Sequence, residues 1–173
     1  CETDIQHAYT GDIMPENFAE GLNDNARQKM IGLLNERLAD TMDLTLAVKQ
    51  AHWNLKGTGF IGVHELLDVV ADHLREGADL MAERAVILGG VAKGTVQTVT
   101  SETTLEPYPT DIVKIKDHIA ELTDRFKLLG KCLREAVETA GEAGDEGTAD
   151  LFTGVSRTVD KDAWFIGANA QPK

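Results

Sequence analysis

Residues 49–57 read KQAHWNLKG, and residues 60–90 read FIGVHELLDVVADHLREGADLMAERAVILGG. In the second stretch Val63, Leu66, Leu67, Val70, Leu74, Ala78, Met81, Ala85 and Leu88 recur at steps of three and four. That spacing lines one face of an amphipathic helix. No proline interrupts the run, and the pair Gly89-Gly90 ends it. Two histidines and three carboxylates are set in this context: His52, His64, Asp68, Asp79 and Glu83. Imidazole and carboxylate together suit iron and its first-row neighbours.

The spacing restricts how these five could meet. His64 and Asp68 are one turn apart, as are Asp79 and Glu83, so each pair shares a helix face. At roughly 100° per residue, all four lie within an arc of about 100°. His64 and Asp79, however, are separated by roughly 22 Å along the axis at 1.5 Å per residue. An ion bound at about 2 Å cannot bridge that span, so this helix alone cannot close a site. A second copy, antiparallel across a two-fold axis, would bring the His64/Asp68 end of one helix to the Asp79/Glu83 end of the other, giving two equal sites per dimer. Taken singly, each residue has a plainer reading: a helical histidine is commonly a surface or capping residue, and an acidic pair one turn apart is usually a solvated face. Glu83 could equally be a local partner of Arg84 or Arg75.

The remaining chain reads as three more long helices, which makes the fold class all-α. The first runs from about Asn25 to Asn54, with Met30, Leu33, Leu34, Leu38 and Met42 as its stripe. After the helix already described comes a connection of about 20 residues, Gly89 to Thr110, rich in threonine and containing Pro107 and Pro109. It is too long to join neighbours and suits the long crossover of a ferritin-like four-helix bundle between its second and third helices. The third helix spans roughly Asp111 to Ala140, with a capping start at Thr110-Asp111. The segment GEAGDEG breaks the pattern, and the fourth helix runs from about Thr148 to Ala168. A chain of 173 residues, 42% hydrophobic, supports one domain with a real core. We divide it into an acidic extension (1–24), the helical domain (25–170) and a short tail (171–173).

No run of 18 apolar residues suggests a membrane span, and no signal-peptide pattern opens the chain. Cys1 points to a processed or engineered start. Cys132 falls within a helix and is expected to be a buried free thiol. Two cysteines so placed do not make a disulfide framework, and a reducing cytoplasm is the expected compartment.

The run AHWN, followed by VHELLD and then by MAERAVILGG, closely resembles the Dps family of ferritin-like mini-ferritins, over about Asn25 to Ile166. The resemblance implies a four-helix bundle with a short helix in the crossover, assembled into a hollow shell of twelve subunits. It implies a ferroxidase that oxidises ferrous iron, preferably with hydrogen peroxide, and stores ferric mineral, with two irons per inter-subunit site. Its ligands would be His52, His64 and Asp68 of one chain and Asp79 and Glu83 of the partner, with Glu83 the strongest. Lys49, one turn before His52, would pair with a ligand carboxylate, or else be an ordinary surface lysine. Trp53 would stand beside the irons as an oxidisable ring, or serve interface packing. Larger ferritins use Glu-x-x-His motifs inside one bundle, and none occurs here.

Charge bears on partners. The net charge is −12, and no Lys or Arg precedes Arg27. Members of this family often bind DNA through lysine-rich tails, but DNA affinity rests largely on neutralised phosphates, so direct DNA binding is expected to be weak or absent. Association with the nucleoid is left open within a cytoplasmic location. Asp145, Glu146 and Asp150 match in character the acids that line family pores, where focused potential draws in cations, although acids are also favoured at a helix N-terminus. Two other readings stand beside this one: a nucleoid-condensing protein with an idle metal site, and a shell that sequesters zinc, cobalt or manganese.

Overall fold

In a computed structural model that describes residues 15–170, five helices follow one another: α1 (Asp24–Asn54), α2 (Phe60–Ile87), α3 (Val96–Glu102), α4 (Ile115–Glu142) and α5 (Glu146–Gly167). The expectations for Cys1, for positions 1–14 of the acidic extension and for the tail 171–173 lie outside the described residues. α1 pairs along α2 and α4 along α5, while contacts of α1 with α4 and of α2 with α5 close the four-helix bundle. The apolar stripes meet on its axis. Met30, Leu34, Leu67, Leu74, Met81, Leu122, Phe126, Leu129 and Phe152 are all completely or almost completely buried.

The crossover from α2 to α4 returns the chain along the length of the bundle and carries the short helix α3 against α1. The start of α4 therefore lies beside the α1–α2 turn, where the Lys56 N–H donates to Val113 O at 2.7 Å and the Ile115 N–H to Lys56 O at 3.3 Å. This pairing corrects the expected start at Thr110-Asp111. It holds Lys114 in extended backbone (φ −78°, ψ 133°), so the helix begins only at Ile115 and has no side-chain cap. At the other end α4 runs to Glu142, and α5 begins at Glu146 rather than Thr148 because Asp145 accepts from the Thr148 N–H at 3.0 Å and caps it. Cys132, expected to be buried, is half-buried, because it flanks rather than joins the stripe made by Leu129 and Leu133.

Glycine matters at one approach. Gly89 takes φ +77° after the last turn of α2, and a Cβ on the next residue, Gly90, would lie 2.5 Å from Ile31 Cγ2. The chain thus turns flush against α1, and Arg27 Nη1 donates to Leu88 O at 3.1 Å to satisfy a terminal carbonyl. Further along, Asp40 is buried on α1 and is answered by the crossover: the Thr104 N–H and hydroxyl donate to its Oδ1 at 2.7 and 3.0 Å, and Arg37 lies 3.2 Å away.

The crossover's last segment is anchored by rings. Tyr108 Oη lies 2.8 Å from Nδ1 of His118, which is fully buried on α4, and the Arg125 guanidinium sits 5.0 Å over the tyrosine ring. Burial holds the His118 imidazole below its ordinary range, against a backbone contact with Ile112 and the charge of Asp117, which pull the other way. A histidine with a depressed native pKa favours the folded state most above its unfolded value, near 6.5. That stability is lost as pH falls below 6.5 toward the folded value. We expect the thermal midpoint to fall between pH 7 and pH 5, and His118→Gln, which keeps an acceptor for Tyr108 but cannot titrate, to flatten part of that fall. Identical slopes for both proteins in calorimetric scans would show that His118 is not the group responsible.

Candidate metal centre

The end of α1 and the start of α2 bring two imidazoles face to face. The rings of His52 and His64 stack at 3.7 Å with 19° between their planes, and Phe60 stacks on the outer side of His64 at 5.0 Å. His52 Nδ1 donates to the His64 carbonyl at 2.9 Å, and His64 Nδ1 donates to the His52 carbonyl at 3.0 Å. A carbonyl can only accept, so each ring carries a proton on Nδ1, and in the neutral imidazole the lone pair is then on Nε2. This is the tautomer a metal-binding imidazole needs, fixed by the hydrogen bond behind it.

Asp68 lies one turn along α2. Its Oδ1 is 3.5 Å from His52 Nε2. Two atoms each about 2.1 Å from one ion, at a tetrahedral angle, stand about 3.4 Å apart. The spacing therefore suits two ligands on a common ion. The same oxygen accepts from Lys49 Nζ at 2.5 Å. That hydrogen bond is the main reason the Asp68 carboxyl sits below the usual carboxylate range; desolvation opposes it, and the histidines add to it. The ammonium thus sits where a cation would otherwise balance the carboxylate's charge. Lys49 Nζ also sits 5.7 Å over the ring of Trp53, which is 67% exposed.

Asp79 and Glu83 are exposed further down α2 and are not brought to the histidines. Among the described residues neither forms an ion pair. The two local partners weighed for Glu83 are engaged elsewhere, Arg84 with Asp145 at 2.7 Å and Arg75 with Asp72 at 2.6 Å. Among the described residues of one chain, no three His, Cys, Asp or Glu side chains could hold a metal ion. Asp79, Lys49 and Trp53 instead line an open cleft of about 1060 Å³ whose other walls, Leu38, Leu46, Ala78, Val96 and Val99 among them, are mostly apolar. Leu46 and Val96 are more than half exposed there.

Of the three acids near the start of α5, Asp145 has a different task from the one expected. It is 3% exposed, caps α5 and holds Arg84, so it cannot face a pore; Glu146 and Asp150 are exposed. Sequence reading did not find the Phe60 stack or the reciprocal carbonyl bonds, since a backbone acceptor leaves no mark in residue type.

The model of the ferritin-like domain matches residues 31–171. The chain is 51% identical over 152 residues to the DNA protection during starvation protein of Agrobacterium fabrum, covering 88% of this chain and 94% of that one. Among solved structures it is similar to a Dps of Streptomyces coelicolor (34% identity, TM-score 0.86, covering 94% of this chain and 96% of that one). It is similar also to Mycobacterium smegmatis Dps (30% identity, TM-score 0.87, covering 92% and 96%). With a matching domain over most of its length, the same four-helix bundle and crossover, and relatives of this kind, the chain belongs to the Dps family of ferritin-like proteins.

Proposed function

We propose that this protein takes up ferrous iron, oxidises it and stores the ferric product inside a homo-oligomeric shell, protecting the cell under starvation and oxidative stress. The observation that carries the reading is the pair of stacked imidazoles, each held at Nδ1 by the other's carbonyl, with His52 Nε2 3.5 Å from Asp68. The rest of the ligand set comes from Asp79 and Glu83 of a second, antiparallel copy seated on the apolar cleft. Two irons are the substrate at each such site, and the family's twelve-subunit shell is the assembly that would hold the mineral. Hydrogen peroxide is the preferred oxidant: two Fe(II) and one H2O2 with two protons give two Fe(III) and two waters, so no odd electron is left to make hydroxyl radical. The carboxylates stabilise the more highly charged ferric state. Lys49 pairs with Asp68 until iron arrives. Trp53, on the rim, stands where a stray oxidising equivalent would reach it first.

Glu146 and Asp150 are proposed to draw cations toward the shell's interior. Direct DNA binding is proposed to be weak, given a net charge of −12; submicromolar affinity in fluorescence anisotropy without divalent cations would defeat this. No helix among the described residues is long and apolar enough to cross a membrane, and a cytoplasmic location is proposed.

The test is anaerobic loading with Fe(II) followed by one peroxide per two irons, with ferric absorbance and a sizing column read on the same sample. Fast oxidation on a particle of about twelve chains, without trapped hydroxyl radical, is expected. Oxidation no faster than in buffer would sink the ferroxidase reading.

A further inference from the structure

A second imidazole outside this centre is held in the same way, but by a buried acid. Asp162 on α5 is 1% exposed, and both of its oxygens lie 3.1 Å from His73 Nδ1 on α2. Among the described residues His73 is its only hydrogen-bond or ion-pair partner. Burial pushes the Asp162 carboxyl up, while the bond to His73 draws it back down. A desolvated carboxylate is expensive to keep, by several kcal/mol unless it is well compensated. Here the whole arrangement orients one ring. With Nδ1 engaged, Nε2 is the nitrogen left for a ligand, and the side chain is 35% exposed.

That ring lines a cleft of about 420 Å³ between α2 and α5. Glu76, one turn after His73, and Asp150 also line it, and among the described residues no lysine or arginine does. Three glycines lie in its walls, Gly77, Gly147 and Gly154. In a helix interior glycine is about 0.8–1 kcal/mol less favourable than alanine. A Cβ at Gly154 would meet nothing within 4 Å, so sterics do not explain the missing side chain there. Open space, two carboxylates on an otherwise largely apolar wall and an imidazole backed by a carboxylate can receive a transition-metal ion that keeps most of its water.

We propose that His73 Nε2 is the protein ligand of a second, weaker cation site, which takes a hydrated divalent first-row metal such as Fe(II). Asp162 is a positioning residue that acts through the imidazole. Glu76 and Asp150 attract and hold the ion's water shell. Among the described residues no three ligating side chains of one chain converge here, so the ion keeps water in its other positions and exchanges readily. This inference does not rest on the two-fold centre, because both helices belong to one chain.

The experiment uses the assembled protein with Co(II) as the probe at pH 7. Diethyl pyrocarbonate acylates free imidazole nitrogens, and peptide mass spectrometry reads each histidine separately. Co(II) is expected to protect His73 in a saturable manner. In Asp162→Asn the midpoint of protection should move up by roughly tenfold or more, the scale on which partners behind a ligand act. Equilibrium dialysis of His73→Gln, whose fold need not depend on the pair, should show one fewer Co(II) per chain. His73 acylated at an undiminished rate in saturating Co(II), or an unchanged stoichiometry in His73→Gln, would overturn the proposal. Protection at His73 without protection at His64 would instead count against the two-fold centre alone.

Discussion

His52→Ala and Glu83→Ala chains, each almost inactive when assembled alone, should recover peroxide-dependent iron oxidation when co-expressed. Partners behind a metal ligand are worth roughly 10–100-fold, so removing a ligand itself should slow oxidation at least that much in either homo-oligomer. The centre as proposed takes His52 from one chain and Glu83 from the other. A mixed dimer then has one site carrying both lesions and one site carrying neither. With random pairing about half of the dimers are mixed, so about a quarter of all sites should be intact. No arrangement that draws all five ligands from one chain gives this result. The readout is the fast phase of ferric absorbance, with the sizing column confirming that every sample is assembled. If the co-expressed sample is as slow as its parents, the shared site is wrong, whatever the single variants do.

The second large effect concerns the scaffold. Phe126 is 0% exposed at the middle of α4, with Leu122 and Leu129 one turn to either side and both almost wholly buried. Phe126→Ala removes a ring from a close-packed interior and leaves a cavity that helices can only partly collapse, a loss of about 3–5 kcal/mol. For a chain of this size each kcal/mol moves the thermal midpoint by about 2–4 °C, so a fall of about 6–20 °C is expected in calorimetry. Phe18, 68% exposed, is the control, and its alanine variant should hardly move. Equal midpoints for Phe126→Ala and the parent would mean that association, not the bundle core, sets the observed stability.

The four long helices were legible because periodicity records which face is buried, and α2 keeps that record unbroken from Val63 to Leu88. For the candidate ligands the sequence offered residue type and reach, and the structure agrees on the reach: it sets His52 and His64 together beside Asp68 and keeps Asp79 and Glu83 apart from them. What failed to show were interactions whose partner is remote or is backbone. The start of α4 slipped from Asp111 to Ile115 because Lys56, far back in the chain, holds its approach extended. Asp145 read as one of three similar acids, and only the arrival of Arg84 from α2 separates it from Asp150. His73 and Asp162 stand 89 positions apart, so nothing local marks them as a pair.

The reciprocal bonds between His52 and His64 also bear on selectivity. Neither ring can rotate to suit an incoming ion without giving up a hydrogen bond to the neighbouring helix, and turning both would loosen the seam between α1 and α2. In the proposed centre, capture would therefore entail little reorganisation of the protein, and discrimination would fall on the ion: one content with the spacing on offer would enter quickly, while one that demands tighter or more numerous contacts would have to deform a hairpin to obtain them. Such rigidity would favour a passenger that is soon to be handed on over one that would stay.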